Sequence, residues 1–207
     1  MKILFLGDSI TEGVGASEPS KKYVEVAKQM LGCDARNYGI SGTRIARQKI
    51  YGSTTAFDWD FQQRAMIMDK DADLVFVFGG TNDFGHGNSE FGECNSTDPY
   101  TYHGGINNLC DYLISTYTKE RLCFLLPLRR CDETNERGLN LVEYVDILRT
   151  ELAKRGINYI DLYKNGLAQP ASRTPDEYFA DGLHPNDKGH AYLAGKVAEY
   201  VKEYFAK

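Results

Sequence analysis

The sequence predicts a three-layer α/β domain built on a parallel sheet. Three observations lead there: short, continuous apolar runs over residues 3–6, 74–78 and 122–126; amphipathic segments between and after them; and glycine-containing polar clusters directly behind the first two runs. Strands buried on both faces read as unbroken apolar runs, and parallel neighbours need helical crossovers between them.

The elements follow in order. Residues 3–6 (Ile-Leu-Phe-Leu) form a strand that ends in Gly7-Asp8-Ser9. Residues 21–31 set Tyr23, Val24, Ala27, Met30 and Leu31 on one helical face, and Gly32 stops that helix. A weak second strand covers 35–38. A helix fits 58–68, whereas 44–57 matches no period. The strongest strand, 74–78 (Leu-Val-Phe-Val-Phe), runs into Gly79-Gly80-Thr81-Asn82-Asp83. A polar loop continues to Pro99 and a helix follows over about 103–117. Strand 122–126 is ended by Pro127, helix 139–155 is closed by Gly156, and 159–162 is the last strand. The terminal helix starts near Asn186 and turns Leu193, Val197, Tyr200, Val201 and Tyr204 inward. With no repeat, low-complexity tract or linker, residues 1–207 read as one domain.

Composition narrows the partners. A net charge of -5 without a basic run argues against nucleic acid or an anionic membrane as the main partner. The first eight residues hold too short an apolar run for a signal peptide or a membrane helix, which predicts a cytoplasmic protein with no membrane insertion. Cys33, Cys94, Cys110, Cys123 and Cys131 are scattered, odd in number and without a C-x-x-C pair, so reduced thiols and no metal site are expected.

In an open parallel sheet, ligands bind outside the carboxyl ends of the strands. Ser9 lies there, behind the first strand. A serine hydroxyl needs a base to become a nucleophile. Of the four histidines, His184 stands in Asp181-Gly182-Leu183-His184-Pro185-Asn186, with a carboxylate three residues ahead of the imidazole. In a turn, that spacing lets Asp181 accept from Nδ1–H and leaves Nε2 for Ser9. Pro185 stiffens the turn, and Asn186 is a cap for the helix behind it. Donors for an oxyanion are available from Asn82, from the backbone of 37–43, and from Ser9's own N–H.

With these residues in view, the chain resembles the SGNH, or GDSL, hydrolase family. The resemblance covers Gly7-Asp8-Ser9-Ile10-Thr11, the Gly42 segment, Gly80-Thr81-Asn82-Asp83 and Asp181-Gly182-Leu183-His184-Pro185, in the family's order and over nearly the whole length. It implies Ser9 as nucleophile, His184 as base and Asp181 as its orienting acid. It also implies Ser9, Gly42 and Asn82 as oxyanion donors, a flavodoxin-like sheet of order 2-1-3-4-5, and no cofactor. The fourth residue of the first block is isoleucine here instead of leucine.

Each residue also has a plainer reading. Ser9 alone would be a turn residue capping a helix, and His184 alone a helix-start histidine; together with Asp181 they favour catalysis. Gly39 rivals Gly42 as donor. Asp8 and Asp83 are expected to be structural, and His86, His103 and His190 to be surface or loop histidines, with His86 the one near the site. Phe84, His86, Tyr100 and Tyr102 are candidates to stack on a substrate ring. Arg129 and Arg130, behind the fourth strand, are candidates for a polar or anionic substrate group. The expected reaction is hydrolysis of a short acyl ester, most simply acetyl, of a sugar or similar small-molecule alcohol. The in-class rival is a lysophospholipase or thioesterase. A non-catalytic phosphate- or nucleotide-binding module, using Gly79-Gly80 and Gly85-x-Gly87, is the rival from another class, although no G-x-G-x-x-G or Walker pattern is present.

Overall fold

A computed structural model describes residues 1–48 and 59–206. Five parallel strands form the sheet: β1 (Lys2–Gly7), β2 (Asp34–Gly39), β3 (Leu74–Phe78), β4 (Leu122–Leu125) and β5 (Asn158–Ile160). Their order is β2-β1-β3-β4-β5. The winding therefore reverses between β1 and β3, whose registers bring Gly7 beside Phe78.

Alternation within each strand assigns side chains to the two outer layers. Leu4, Leu6, Val75, Val77, Leu122 and Phe124 face one layer, with Phe61 and Ala65 of α3 (Phe61–Met66), Ile106 and Leu109 of α5 (Tyr102–Tyr117), and Leu148 and Leu152 of α6 (Leu141–Arg155). Ile3, Phe5, Leu74, Phe76, Phe78, Cys123 and Leu125 face the other layer. There Val24 and Ala27 of α2 (Tyr23–Leu31) meet Leu193, Val197 and Val201 of α8 (Asp187–Phe205). The sheet is thus covered on both sides, as its central runs require. β2 is weak in sequence because it is an edge: none of its residues is fully buried, and it carries Asp34 and Arg36.

Most predicted elements are present with shifted ends. The last strand stops at Ile160, because Leu162 already opens α7 (Leu162–Asn165) behind the Asp161 cap. Of the helix expected over 58–68, Phe61–Met66 is helical and residue 58 lies outside the described residues. Besides α7, two short helices are absent from the sequence prediction: α1 (Ser9–Glu12) and α4 (Thr81–His86), each starting directly behind a central strand. Both are too short to show a hydrophobic period.

Candidate active site

Ser9 is the first residue of α1. Asp8 caps that helix, its carboxylate accepting from the Ile10 N–H at 3.0 Å. This turns the Ser9 hydroxyl out at the carboxyl end of β1 and leaves its backbone N–H without an intrahelical acceptor. The segment before α8 arrives from the opposite end of the chain. His184 Nε2 lies 3.0 Å from Ser9 Oγ, and His184 Nδ1 lies 2.7 Å from Asp181 Oδ2. Asp181 also accepts from the backbone N–H groups of Leu183 and His184, at 3.0 and 2.7 Å. Burial pushes the Asp181 carboxyl up, but its bonds to His184 and the turn amides outweigh that and hold it below the usual carboxylate range. Asn186 caps α8 through Lys188 and Gly189.

The two segments meet closely. Gly15, at φ +92°, lies so near the His184 turn that a Cβ there would stand 2.2 Å from the Pro185 carbonyl oxygen. A residue with a side chain would push the histidine turn off the serine turn.

On the other flank, Asn82 Nδ2 donates to the Thr43 carbonyl at 3.0 Å, which links the start of α4 to the loop behind β2. In that loop Gly42 adopts φ +76°, and among the described residues its N–H donates to no protein acceptor. The rival Gly39 is engaged. Its N–H donates to Asn37 Oδ1 at 2.8 Å, and a Cβ on it would meet the Glu12 backbone nitrogen at 2.1 Å. Asp83 is buried and accepts from the Ile45 and Ala46 N–H groups, pinning the segment behind Gly42. Burial raises its carboxyl to about 6, against those two bonds.

Several expected substrate contacts require correction. Phe84 is 2% exposed and Tyr102 fully buried; both pack in the core beside Tyr144, so neither ring has a free face. Tyr100 is half-buried, with the Arg47 guanidinium over its ring. Arg129 stacks on Tyr163 and reaches Glu133 and Gln169. Its neighbour Arg130 turns toward the start of α4, over the Phe84 ring and within 3.4 Å of the Thr81 carbonyl. His190 is not a surface residue. It is fully buried, accepts at Nδ1 from the Tyr23 N–H, and faces the Val14 carbonyl with Nε2. His103 is mostly buried against Glu151. His86 is exposed as a residue, as expected, but it ends a helix, and both ring nitrogens are partly buried against protein partners.

Two arginines that shape the site were not singled out from sequence. Buried Arg64 donates to Thr43 Oγ1 at 2.7 Å, to the Gly7 carbonyl at 2.9 Å and to the Tyr38 carbonyl, gathering the ends of β1 and β2 around one guanidinium. Its spacing from Phe61 and Ala65 on α3 is the signal: an arginine on an inward helical face needs buried acceptors. Arg44, next to Thr43, contacts His86 Nδ1.

The family model for GDSL-like lipases and acylhydrolases matches residues 5–192. The chain belongs to this family. It is an ester-hydrolysing enzyme. Solved structures agree in fold. One is 29% identical with a TM-score of 0.81, covering 98% of this chain and 96% of its own. A protein from Lactobacillus plantarum is 24% identical with a TM-score of 0.83 over the same shares. A carbohydrate acetylesterase family member from Sinorhizobium meliloti is 15% identical with a TM-score of 0.68, covering 100% of this chain and 99% of its own. Among curated proteins none matches the chain significantly. No helix among the described residues is long and apolar enough to cross a membrane.

Proposed function

We propose that this family member hydrolyses short acyl esters, most simply acetyl, of carbohydrates or other small alcohols through an acyl-enzyme on Ser9. The observation that carries this is the chain of contacts from Asp181 through His184 to Ser9, at 2.7 and 3.0 Å. Asp181 holds the tautomer in which His184 Nε2 accepts the Ser9 proton as Oγ attacks the carbonyl carbon. The backbone N–H groups of Ser9 and Gly42 and the Asn82 amide receive the oxyanion, whose charge they stabilise more than that of the ground-state carbonyl. The alcohol leaves with the proton from His184. Water then attacks the acyl-enzyme, losing its proton to the same nitrogen.

The surroundings support a small polar substrate. A groove of about 360 Å³ beside α4 is lined by His86, Asn88, Asn135, Glu136 and Arg137 among others, and a cavity of about 280 Å³ by Arg130, Asp132, Arg173 and Asp181. Both are small and lined mostly by charged and amide residues, which suits a hydroxyl-rich alcohol better than a long acyl chain. The similarity to a carbohydrate acetylesterase family member points the same way. The reading includes a cytoplasmic setting, favoured by five cysteines without a disulfide.

Ser9→Ala is expected to abolish hydrolysis of p-nitrophenyl acetate and labelling by a fluorophosphonate while leaving the thermal transition intact. Full activity in that variant would reject the nucleophile. Across esters from acetyl to palmitoyl, kcat/KM is expected to fall with length; a rise would favour the lysophospholipase or thioesterase reading.

A further inference from the structure

We infer that His86 is a positioning residue for the Asn82 amide, holding it with Nδ2 turned toward the oxyanion site by a hydrogen bond from one imidazole tautomer. This rests on the reading above, in which Asn82 donates to the oxyanion.

His86 Nδ1 faces a guanidinium nitrogen of Arg44, which can only donate, so Nδ1 carries no proton. The proton of the neutral ring is therefore on Nε2, which lies 3.1 Å from Asn82 Oδ1 and donates to it. At the other end of the amide, Nδ2 gives one proton to the Thr43 carbonyl. Flipping Asn82 would set its oxygen against the Thr43 oxygen and its NH₂ against the His86 N–H, losing both bonds. The second Nδ2 proton is left pointing away from Thr43, available to a ligand. Protonating His86 would place a proton on Nδ1 against Arg44. Desolvation of the ring and the charges of Arg44 and Arg130 oppose that, holding His86 well below the ordinary histidine range.

Local structure explains why this residue can do it. His86 is four positions after Asn82 on α4, so the two side chains lie on the same face. Arg44 is two residues beyond Gly42, so the loop proposed to supply one donor also steadies the residue that orients another.

The test is a double-mutant cycle on kcat for p-nitrophenyl acetate. Removing one oxyanion donor costs roughly 10²–10³ in kcat, and a misoriented donor loses part of that. His86→Leu is therefore expected to lower kcat by at least about tenfold with KM within about twofold. His86→Gln, whose amide both donates and accepts, is expected to recover most of kcat and to leave the acid limb of the pH–rate profile in place. In an Asn82→Ala background, His86→Leu is expected to change kcat by less than about twofold, because its effect runs through Asn82.

A wild-type kcat in His86→Leu, an equal loss in both backgrounds, or a glutamine variant as impaired as leucine would overturn the inference. Should His86→Leu not fold, the imidazole ¹⁵N shifts of the parent enzyme decide: an Nε2–H tautomer is expected, and an Nδ1–H tautomer refutes it. Full activity in Asn82→Ala would instead reject the oxyanion reading itself.

Discussion

Glu12 and Ser41 tie the serine turn to the loop that holds Gly42: one carboxylate oxygen of Glu12 accepts from the Ser41 backbone N–H at 2.7 Å and from the Ser41 hydroxyl as well. Glu12 is the last residue of the helix that Ser9 begins, and Ser41 precedes Gly42. Hydrogen bonds to a charged group contribute more than neutral ones, though exposure to water weakens this pair. Glu12→Ala is expected to cost about 1–2 kcal/mol in urea unfolding. It should lower kcat while fluorophosphonate labelling persists, and Glu12→Gln, which keeps an acceptor oxygen, should lose less. An unchanged kcat in the alanine variant would show that the loop needs no such tie.

Asp181 accepts three hydrogen bonds, two from its own turn and one from His184. An asparagine there would keep an acceptor for the turn and offer a donor to the ring, stabilising the wrong tautomer. Asp181→Asn is expected to lower kcat by roughly 10²–10⁴ with little change in KM. Loss of less than about tenfold would mean that the histidine is oriented by other means.

Gly15 and Gly138 form a matched pair. Both have positive φ, +92° and +75°, but a Cβ on Gly138 meets nothing within 4 Å, whereas one on Gly15 strikes the Pro185 carbonyl. Alanine at either position carries the backbone strain of about 1–2 kcal/mol. Only Gly15→Ala should also displace the His184 turn, so thermal unfolding should separate the two modestly and kcat strongly. Equal kcat in the two variants would contradict the close approach.

Asp8 predicts a pH dependence of stability. Burial raises its carboxyl from 3.8 to about 7, against the bond from Ile10 and the charge of Arg64, which lower it. Between those values the folded protein keeps a proton that the unfolded chain has released. Its contribution is thus fully present below about pH 4 and lost as pH rises through about 7. Asp8→Asn retains an acceptor for Ile10 and removes the titration. Its melting temperature relative to the parent is expected to be higher at about pH 8.5 than at about pH 5, by at least ~2 °C. A difference independent of pH would place the Asp8 proton elsewhere.

Much of this enzyme was written in local patterns. Unbroken apolar runs such as 74–78 identify buried parallel strands because both faces of each must be covered. The order of the four motif blocks carried the family. Asp181 and His184 could be paired by spacing alone, since one turn holds both. The contact between His184 and Ser9 spans 175 positions, and only the docking of α8's leading turn against the β1 end creates it. Phe84 and Tyr102 looked like substrate contacts because aromatic residues near a glycine loop carry no mark of their burial; packing against Tyr144 and the sheet decided it. His190 was misplaced for the same reason, as a polar residue whose partners, Tyr23 and Val14, lie on another part of the chain. The sequence by itself determined the central strands and the family and singled out the candidate residues for the reaction, because periodicity and short spacings are local properties. Tertiary structure alone decided which of Gly39 and Gly42 keeps an open N–H and which of Arg129 and Arg130 turns toward the site. It also decided that His86 and Arg64 brace the loop and amide around Ser9, since a hydrogen-bond partner far along the chain leaves no local trace.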